Sequence, residues 1–184
     1  MNKLLTAVML ALVTVTGALA QQPPKPPTSV GQVIDRQFSN LEREFVPAAE
    51  AMPADKYSFA PTNGEFKGVR TFEQQVKHVA AVQYMLGAAL LGEKPPLDLQ
   101  GENGPDTIKT KDDIVKFLKD SFAYLHKGIA TVNDKNALEM IDSPFGSKGS
   151  RLGLANMSIG HGFDHYGQMV EYLRMNGIIP PASR

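Results

Sequence analysis

Two histidines stand four positions apart near the end of the chain, in the segment His161-Gly162-Phe163-Asp164-His165. At about 100° per residue, residues at i and i+4 share one face of an α-helix, with their Cβ atoms roughly 5–6 Å apart. Two imidazoles at this spacing can bind one metal ion. The pair therefore predicts half of a metal site, and the remaining ligands must come from other elements.

The two other histidines differ in their surroundings. His78 lies in an apolar segment, where it is either a third ligand or a hydrogen-bonded core residue; His126 lies beside Lys127, away from the apolar stripe, and is interpreted as a surface residue. If His78 completes the set, three neutral imidazoles leave coordination positions for water or substrate, as in catalytic metal sites. Position 162 is glycine and not glutamate, so the general base of the zincin motif is missing.

Two polar residues follow the histidine pair on the same helix. Gln168 falls near the histidine face, where it either orients a ligand imidazole or a water molecule, or forms an interhelical hydrogen bond. Asp164 projects about 60° away from the pair on helical geometry, so it is interpreted as a surface carboxylate and not as a general base. No catalytic residue is assigned beyond Gln168 as a supporting group.

Four amphipathic helices would position these side chains. The first is capped by Thr28 or Ser29, the second by the capping box of Thr71 and Gln74, the third by Thr110, and the last starts near Ser150 and stops at Asn176-Gly177. Little strand signal separates them, which predicts an all-α four-helix bundle whose topology the pattern alone leaves open. Pro47 should kink or fray the end of the first helix, and Tyr57 and Phe59 in the 53–70 loop should pack on the bundle end.

The N-terminus has the pattern of a cleavable signal peptide over residues 1–20, with Lys3, the apolar run Leu4–Val15 and Ala18-Leu19-Ala20. The run is too short to span a bilayer comfortably, so cleavage after Ala20 and a periplasmic or secreted protein are expected, without stable membrane insertion. Residues 21–28 form a proline-rich linker, and residues 29–181 form the helical domain.

Composition excludes several classes of function. The 184-residue chain has no cysteine, so a thiol nucleophile is excluded and any metal must be bound through His, Asp or Glu. Without residues 1–20 the chain has 18 basic and 19 acidic residues in no like-charged run, and nothing indicates nucleic-acid binding.

The last helix has a second apolar stripe, opposite the histidine face. Its members are Leu152, Ile159, Phe163 and Val170, with Tyr166 near the edge. A helix that is apolar on opposite sides usually packs both inward and outward, which predicts a homodimer through this stripe. The first helix or the 53–70 loop could instead cover it.

Two stretches together resemble the DinB-like superfamily of bacterial four-helix proteins: TFEQQVKHVAAVQYML around His78, and HGFDHYGQMVEYLRMNGIIPP around the pair. The resemblance covers roughly residues 30–181. It implies an up-down-down-up bundle that binds a divalent metal through His78, His161 and His165 plus solvent. Zn, Ni or Fe(II) are the expected ions, with Cu also suited to three imidazoles.

Members of the superfamily differ in chemistry, so the fold does not decide the activity. The leading hypothesis is an exported metal-dependent enzyme of hydrolase or lyase type acting on a small molecule. Thiol-dependent transfer, which the resemblance also implies, is disfavoured because low-molecular-weight thiols are kept in the cytosol. The alternatives are a bundle that binds a small ligand or a metal without turnover, and an assembly protein whose histidines are core hydrogen-bond partners.

Overall fold

The computed structural model describes residues 25–184, so the expected signal peptide and the first part of the linker lie outside the described residues. Four α-helices account for most of the described chain. They are α1 (Val30–Ala51), α2 (Phe72–Leu91), α3 (Lys111–Ile129) and α4 (Arg151–Met175). Two short strands, β1 (Met140–Asp142) and β2 (Lys148–Ser150), and two 3-10 turns, Ala54–Lys56 and Pro181–Ser183, complete the elements.

The contacts between helices establish the topology. Going down α2, Gln83 meets Ser121 and Gly87 meets Leu125, so α2 and α3 run parallel. In the same way, Leu41 meets Gly162 and Phe45 meets Tyr166, so α1 and α4 run parallel.

The two parallel pairs run in opposite directions. Phe38 meets His126 while Glu50, at the other end of α1, meets Lys119, so α1 and α3 are antiparallel. Gln75 near the start of α2 meets Gln168 near the end of α4. The bundle is therefore up-down-down-up, as the family resemblance implied, and the 92–110 segment carries the chain back to the start of α3.

The predicted helix caps are confirmed. Each helix begins after a hydroxyl residue whose side chain accepts a backbone N–H of the first turn: Ser29, Thr71, Thr110 and Ser150. Thr71 and Gln74 form the full capping box. Gly92 ends α2 and Gly177 follows α4, both with φ of 73°, a left-handed conformation that only glycine adopts without strain.

Two expectations need refinement. Pro47 was expected to kink or fray the last turn of α1; the chain stays helical through Pro47 to Ala51, and Ala48 and Ala49 in this turn are fully buried in the core. The 133–150 segment contains an antiparallel hairpin of β1 and β2 with Ile141 opposite Gly149. The strands are three residues each, too short for alternating hydrophobicity to reveal them.

The loop before α2 is held to the bundle, as expected for Tyr57 and Phe59. The Tyr57 hydroxyl donates to the Ala49 carbonyl at 2.7 Å, and the Phe59 ring packs edge-on against Tyr172. The carbonyls of Phe59 and Tyr57 accept the first N–H groups of α2, from Phe72 and Glu73. The loop thereby sets where α2 starts, and with it the position of His78.

Candidate metal centre

Three of the four histidines converge between α2 and α4. His78 comes from α2, and His161 and His165 from α4, in the antiparallel arrangement that brings the second turn of α2 next to the middle of α4. The Nε2 atoms of His78 and His161 are 3.0 Å apart, and one ring nitrogen from each of the three lies within 4.8 Å of the others. The three imidazoles meet pairwise at steep angles, with centroids 4.5–4.9 Å apart.

The donor set has the chemistry of a divalent transition-ion site, and one pair of its nitrogens lies at the spacing of two ligands on one ion. Ligand nitrogens about 2.0–2.1 Å from an ion, with angles between 90° and tetrahedral, are roughly 2.9–3.4 Å from each other. The His78–His161 separation of 3.0 Å falls in this range. Imidazole nitrogens suit Zn, Ni, Cu and Fe, so the residues present match the type of ion expected from the sequence.

Hydrogen bonds at the back of two rings point their other nitrogens toward the centre. His78 Nδ1 lies 2.8 Å from the backbone carbonyl of Glu102, which can only accept, so Nδ1 carries the proton and Nε2 keeps its lone pair. His165 Nδ1 lies 2.5 Å from Oε1 of Gln75 and is assigned the same tautomer. Each bond fixes the ring orientation that a metal ligand requires.

Burial keeps the three imidazoles neutral. His78 and His165 are buried and His161 is half-buried. Loss of solvation is the main cause that lowers the pKa of all three, to about 4 for His161 and about 3 for His165; the neighbouring imidazoles and the Arg70 charge lower those two further. For His78 the bond to the Glu102 carbonyl opposes this shift. Neutral imidazole is the form that binds a metal.

Gln168 supports the site through Gln75. Its Oε1 accepts from Gln75 Nε2 at 2.8 Å, and its own Nε2 donates to Asp164 at 3.3 Å. The interhelical hydrogen bond, one of the two roles left open by the sequence, is present, and Gln75 links Gln168 to His165. Asp164 is exposed, as expected.

His126 lies outside this cluster, on the opposite side of the bundle. It was expected at the surface, but its side chain is only 26 % exposed, with Nδ1 2.5 Å from Asp35 and Nε2 3.2 Å from Glu42. Its ring also packs edge-on against Phe38. The difference arises because α1 supplies two carboxylates that a single-helix pattern on α3 cannot anticipate.

The residues that sequence reasoning missed are those behind the ligands. Gln75 is 1 % exposed and joins His165 to Gln168, and the Glu102 carbonyl belongs to a loop with no recognisable motif. A polar side chain three residues before His78, on the same side of the helix, was the available signal for Gln75. Every residue has a backbone carbonyl, so the amino-acid sequence could not indicate that the carbonyl of Glu102 accepts from His78.

Comparisons with known proteins agree with this fold. A sequence model of the DinB superfamily matches residues 37–169. A crystal structure of a DinB-like protein from Bacillus cereus ATCC 10987 is similar, with a TM-score of 0.61 and 15 % sequence identity over 82 % of this chain and 95 % of that one. No curated protein matches. At this identity the likeness supports the fold alone.

Proposed function

The chain belongs to the DinB superfamily, and we propose that it is a metal-dependent enzyme of hydrolase or lyase type acting on a small molecule. His78, His161 and His165 would bind one divalent ion, Zn, Ni or Fe(II) being favoured. The observation that carries the proposal is the meeting of three neutral imidazoles within 4.8 Å, two of them aimed by bonds at their far nitrogens.

A bound ion of this kind supplies Lewis-acid chemistry that polarises a carbonyl or a related group. The chain contributes the placement of that chemistry. Gln75 and the Glu102 carbonyl orient His165 and His78, and His161 is the most exposed of the three rings. Three imidazole ligands would leave coordination positions for water or substrate.

Metal content tests the proposal first. The mature chain, purified without an affinity tag, is expected to hold about one transition ion per chain, and the His161→Ala/His165→Ala variant none. His126→Ala is the matched control, since its ring lies outside the cluster, and should keep the ion. An ion-free wild-type protein that stays ion-free after incubation with Zn, Ni and Fe(II) would contradict metal binding.

A catalytic function then requires turnover that a chelator abolishes and the same ion restores, in a screen of ester, amide, phosphoester and lyase substrates.

The competing function, binding of a ligand without turnover, is favoured by the positions of the acidic side chains. The Glu102 carboxylate lies 3.9 Å from His78 Nδ1, the ring nitrogen that points away from the centre of the histidine cluster, and Asp164 is exposed. Neither acid is therefore placed as a general base at the proposed ion. A ligand that binds in a metal-dependent way and is never consumed would establish that function.

We also propose export, from the pattern of residues 1–20. The mature protein recovered from the periplasm or medium should begin at Gln21. Full-length protein confined to the cytosol would contradict this part.

A further inference from the structure

A polar cavity of about 540 Å³ lies beside the start of α2, the helix that carries His78. Its wall is made of Gly68, Arg70, Gln74, Lys77, Asn103 and Asp106. Three wall residues are sequence neighbours of His78 or of residues that hydrogen-bond to the histidines. Lys77 precedes His78, Gln74 precedes Gln75, and Asn103 follows the Glu102 carbonyl that accepts from His78.

Arg70 is exceptional among the arginines of residues 25–184. The five others, Arg36, Arg43, Arg151, Arg174 and Arg184, each donate a side-chain hydrogen bond. Arg70 is half-buried, and its guanidinium forms no hydrogen bond or ion pair with a described residue, although its backbone carbonyl accepts from the Tyr172 hydroxyl. A guanidinium has five donors, and those of Arg70 are all available to water or to an anionic ligand in the cavity.

Lys77 adds a second positive charge to the same wall. The aliphatic part of the Lys77 side chain packs against the backbone of Gly104. A Cβ atom added to Gly104 would lie 3.4 Å from Lys77 Cβ and Cε. Within the described chain Lys77 has no carboxylate partner at ion-pair distance, and Asp106, the acid of the wall, pairs with neither cation. The N-terminus of α2 at Thr71 contributes further positive potential.

The cavity lies at one end of α2 and α4, the two helices that carry the three histidines. Arg70 directly precedes the N-cap of α2, and its backbone carbonyl accepts from the Tyr172 hydroxyl of α4 at 3.1 Å. Lys77 of the same wall is the residue before His78. An anion bound by Arg70 and Lys77 would therefore lie at the same end of this helix pair as His78. Arginine binds carboxylate and phosphate oxygens through its planar fork, and lysine adds a point charge.

We infer that Arg70 and Lys77 bind an anionic oxygen group of the substrate, a carboxylate or a phosphoryl group, in the polar cavity beside the start of α2. This inference deepens the proposed function and rests on it for the word substrate. Arg70 and Lys77 then select anionic small molecules and position them, while the histidines hold the ion.

Titration of the mature chain with inorganic phosphate and with acetate, followed by ¹⁵N NMR, tests the inference without a known substrate. Each anion is added to the metal-loaded and the chelator-treated protein. We expect saturable shifts at Arg70 and Lys77 in both forms, with affinity at least tenfold weaker in Arg70→Ala and in Lys77→Ala. Tighter binding of phosphate assigns a phosphoryl group, and tighter binding of acetate a carboxylate.

Arg43→Ala, which removes an exposed arginine from α1, is the matched control and should bind as wild type. The Arg70 side chain forms no hydrogen bond or ion pair within residues 25–184, so Arg70→Ala should keep its melting temperature and metal content. Equal anion affinity in wild type and Arg70→Ala, or no binding to wild type, would overturn the inference. Loss of metal binding with intact Arg70-dependent anion binding would instead defeat the proposed enzyme and leave the anion site standing.

Discussion

The orientation of His165 depends on a single buried amide. Gln75 Oε1 accepts a hydrogen bond from His165 Nδ1–H, and Gln75 Nε2 donates one to Gln168 Oε1, so one side chain on α2 orients two on α4. Such partners behind a metal ligand set the tautomer and raise the basicity of the ring. If the three histidines bind a metal, the site would therefore depend on more than these three residues.

Replacing Gln75 should weaken metal binding although the residue is no ligand. Gln75→Leu removes the acceptor for His165, and we expect roughly 10–100-fold lower Zn affinity in a competition titration with a chromophoric chelator. Gln75→Glu keeps an acceptor oxygen at the same place and should stay within a few-fold of wild type. Equal affinities for Gln75→Leu and wild type would show that the hydrogen bond does not orient the ligand.

The buried histidines should also make the metal-free protein acid-sensitive. Above pH 6.5 they are neutral in both folded and unfolded chains; below it the unfolded chain takes up protons that the folded one refuses until about pH 4 for His161 and about pH 3 for His165. The free energy of unfolding, measured with urea in EDTA, should therefore fall from pH 6.5 downward. His165→Gln should lose less over this window, and an equal or larger loss in that variant would contradict the prediction.

At the scale of elements, the two glycines flanking His161 have different roles. A Cβ atom on Gly162 would lie 2.2 Å from Cδ2 of Leu41, a fully buried side chain of α1, whereas a Cβ atom on Gly160 would meet nothing within 4 Å. Gly162 thus allows α1 and α4 to approach closely. Gly160 is open helix surface, where glycine only costs helix stability.

Alanine at these two positions should shift stability in opposite directions. Gly162→Ala drives a methyl group into packed Leu41 and should destabilise by about 1–2 kcal/mol after the gain in helix propensity. Gly160→Ala, the matched control, should stabilise by about 0.5–1 kcal/mol. Urea unfolding in the presence of EDTA measures the free energy of unfolding of both variants without a contribution from metal binding. A stabilised Gly162→Ala variant would show that α1 and α4 are not closely packed at this point.

At the scale of the whole molecule, much of the second apolar stripe of α4 is covered. Leu152, Ile159 and Tyr166 pack against the core, Tyr166 beside Phe45 of α1, and Phe163 of the stripe is 37 % exposed. A homodimer remains a proposal, and it would use only the uncovered part of the stripe around Phe163.

No helix within residues 25–184 has both the length and the hydrophobicity to cross a membrane.

A dimer through the uncovered part of the α4 stripe should be weak, because stable interfaces bury about 800 Å² per partner and much of the stripe is already covered. We expect a concentration-dependent mass by analytical ultracentrifugation, and a monomer at all concentrations for Phe163→Asp. Val33→Asp, at an exposed apolar position of α1, is the control and should dimerise like wild type. A wild-type chain that remains monomeric at high micromolar concentration would remove the dimer.

The sequence by itself determined the local features. Hydroxyl caps, the capping box and glycine stops act within a few residues, so the helix starts at Ser29, Thr71, Thr110 and Ser150 could be predicted. The i,i+4 spacing of His161 and His165 likewise follows from one helix, and the family resemblance supplied His78 and the up-down-down-up order.

Only the tertiary structure established which residues of different helices and loops contact each other. The Gln75–His165 bond, the Glu102 carbonyl behind His78, and the carboxylates around His126 each join residues 24 to 91 positions apart. Such pairings depend on the offset between neighbouring helices and on loop paths, which periodicity along a single helix does not encode. For the same reason the hairpin of β1 and β2, whose strands are only three residues long, could not be predicted from local propensity.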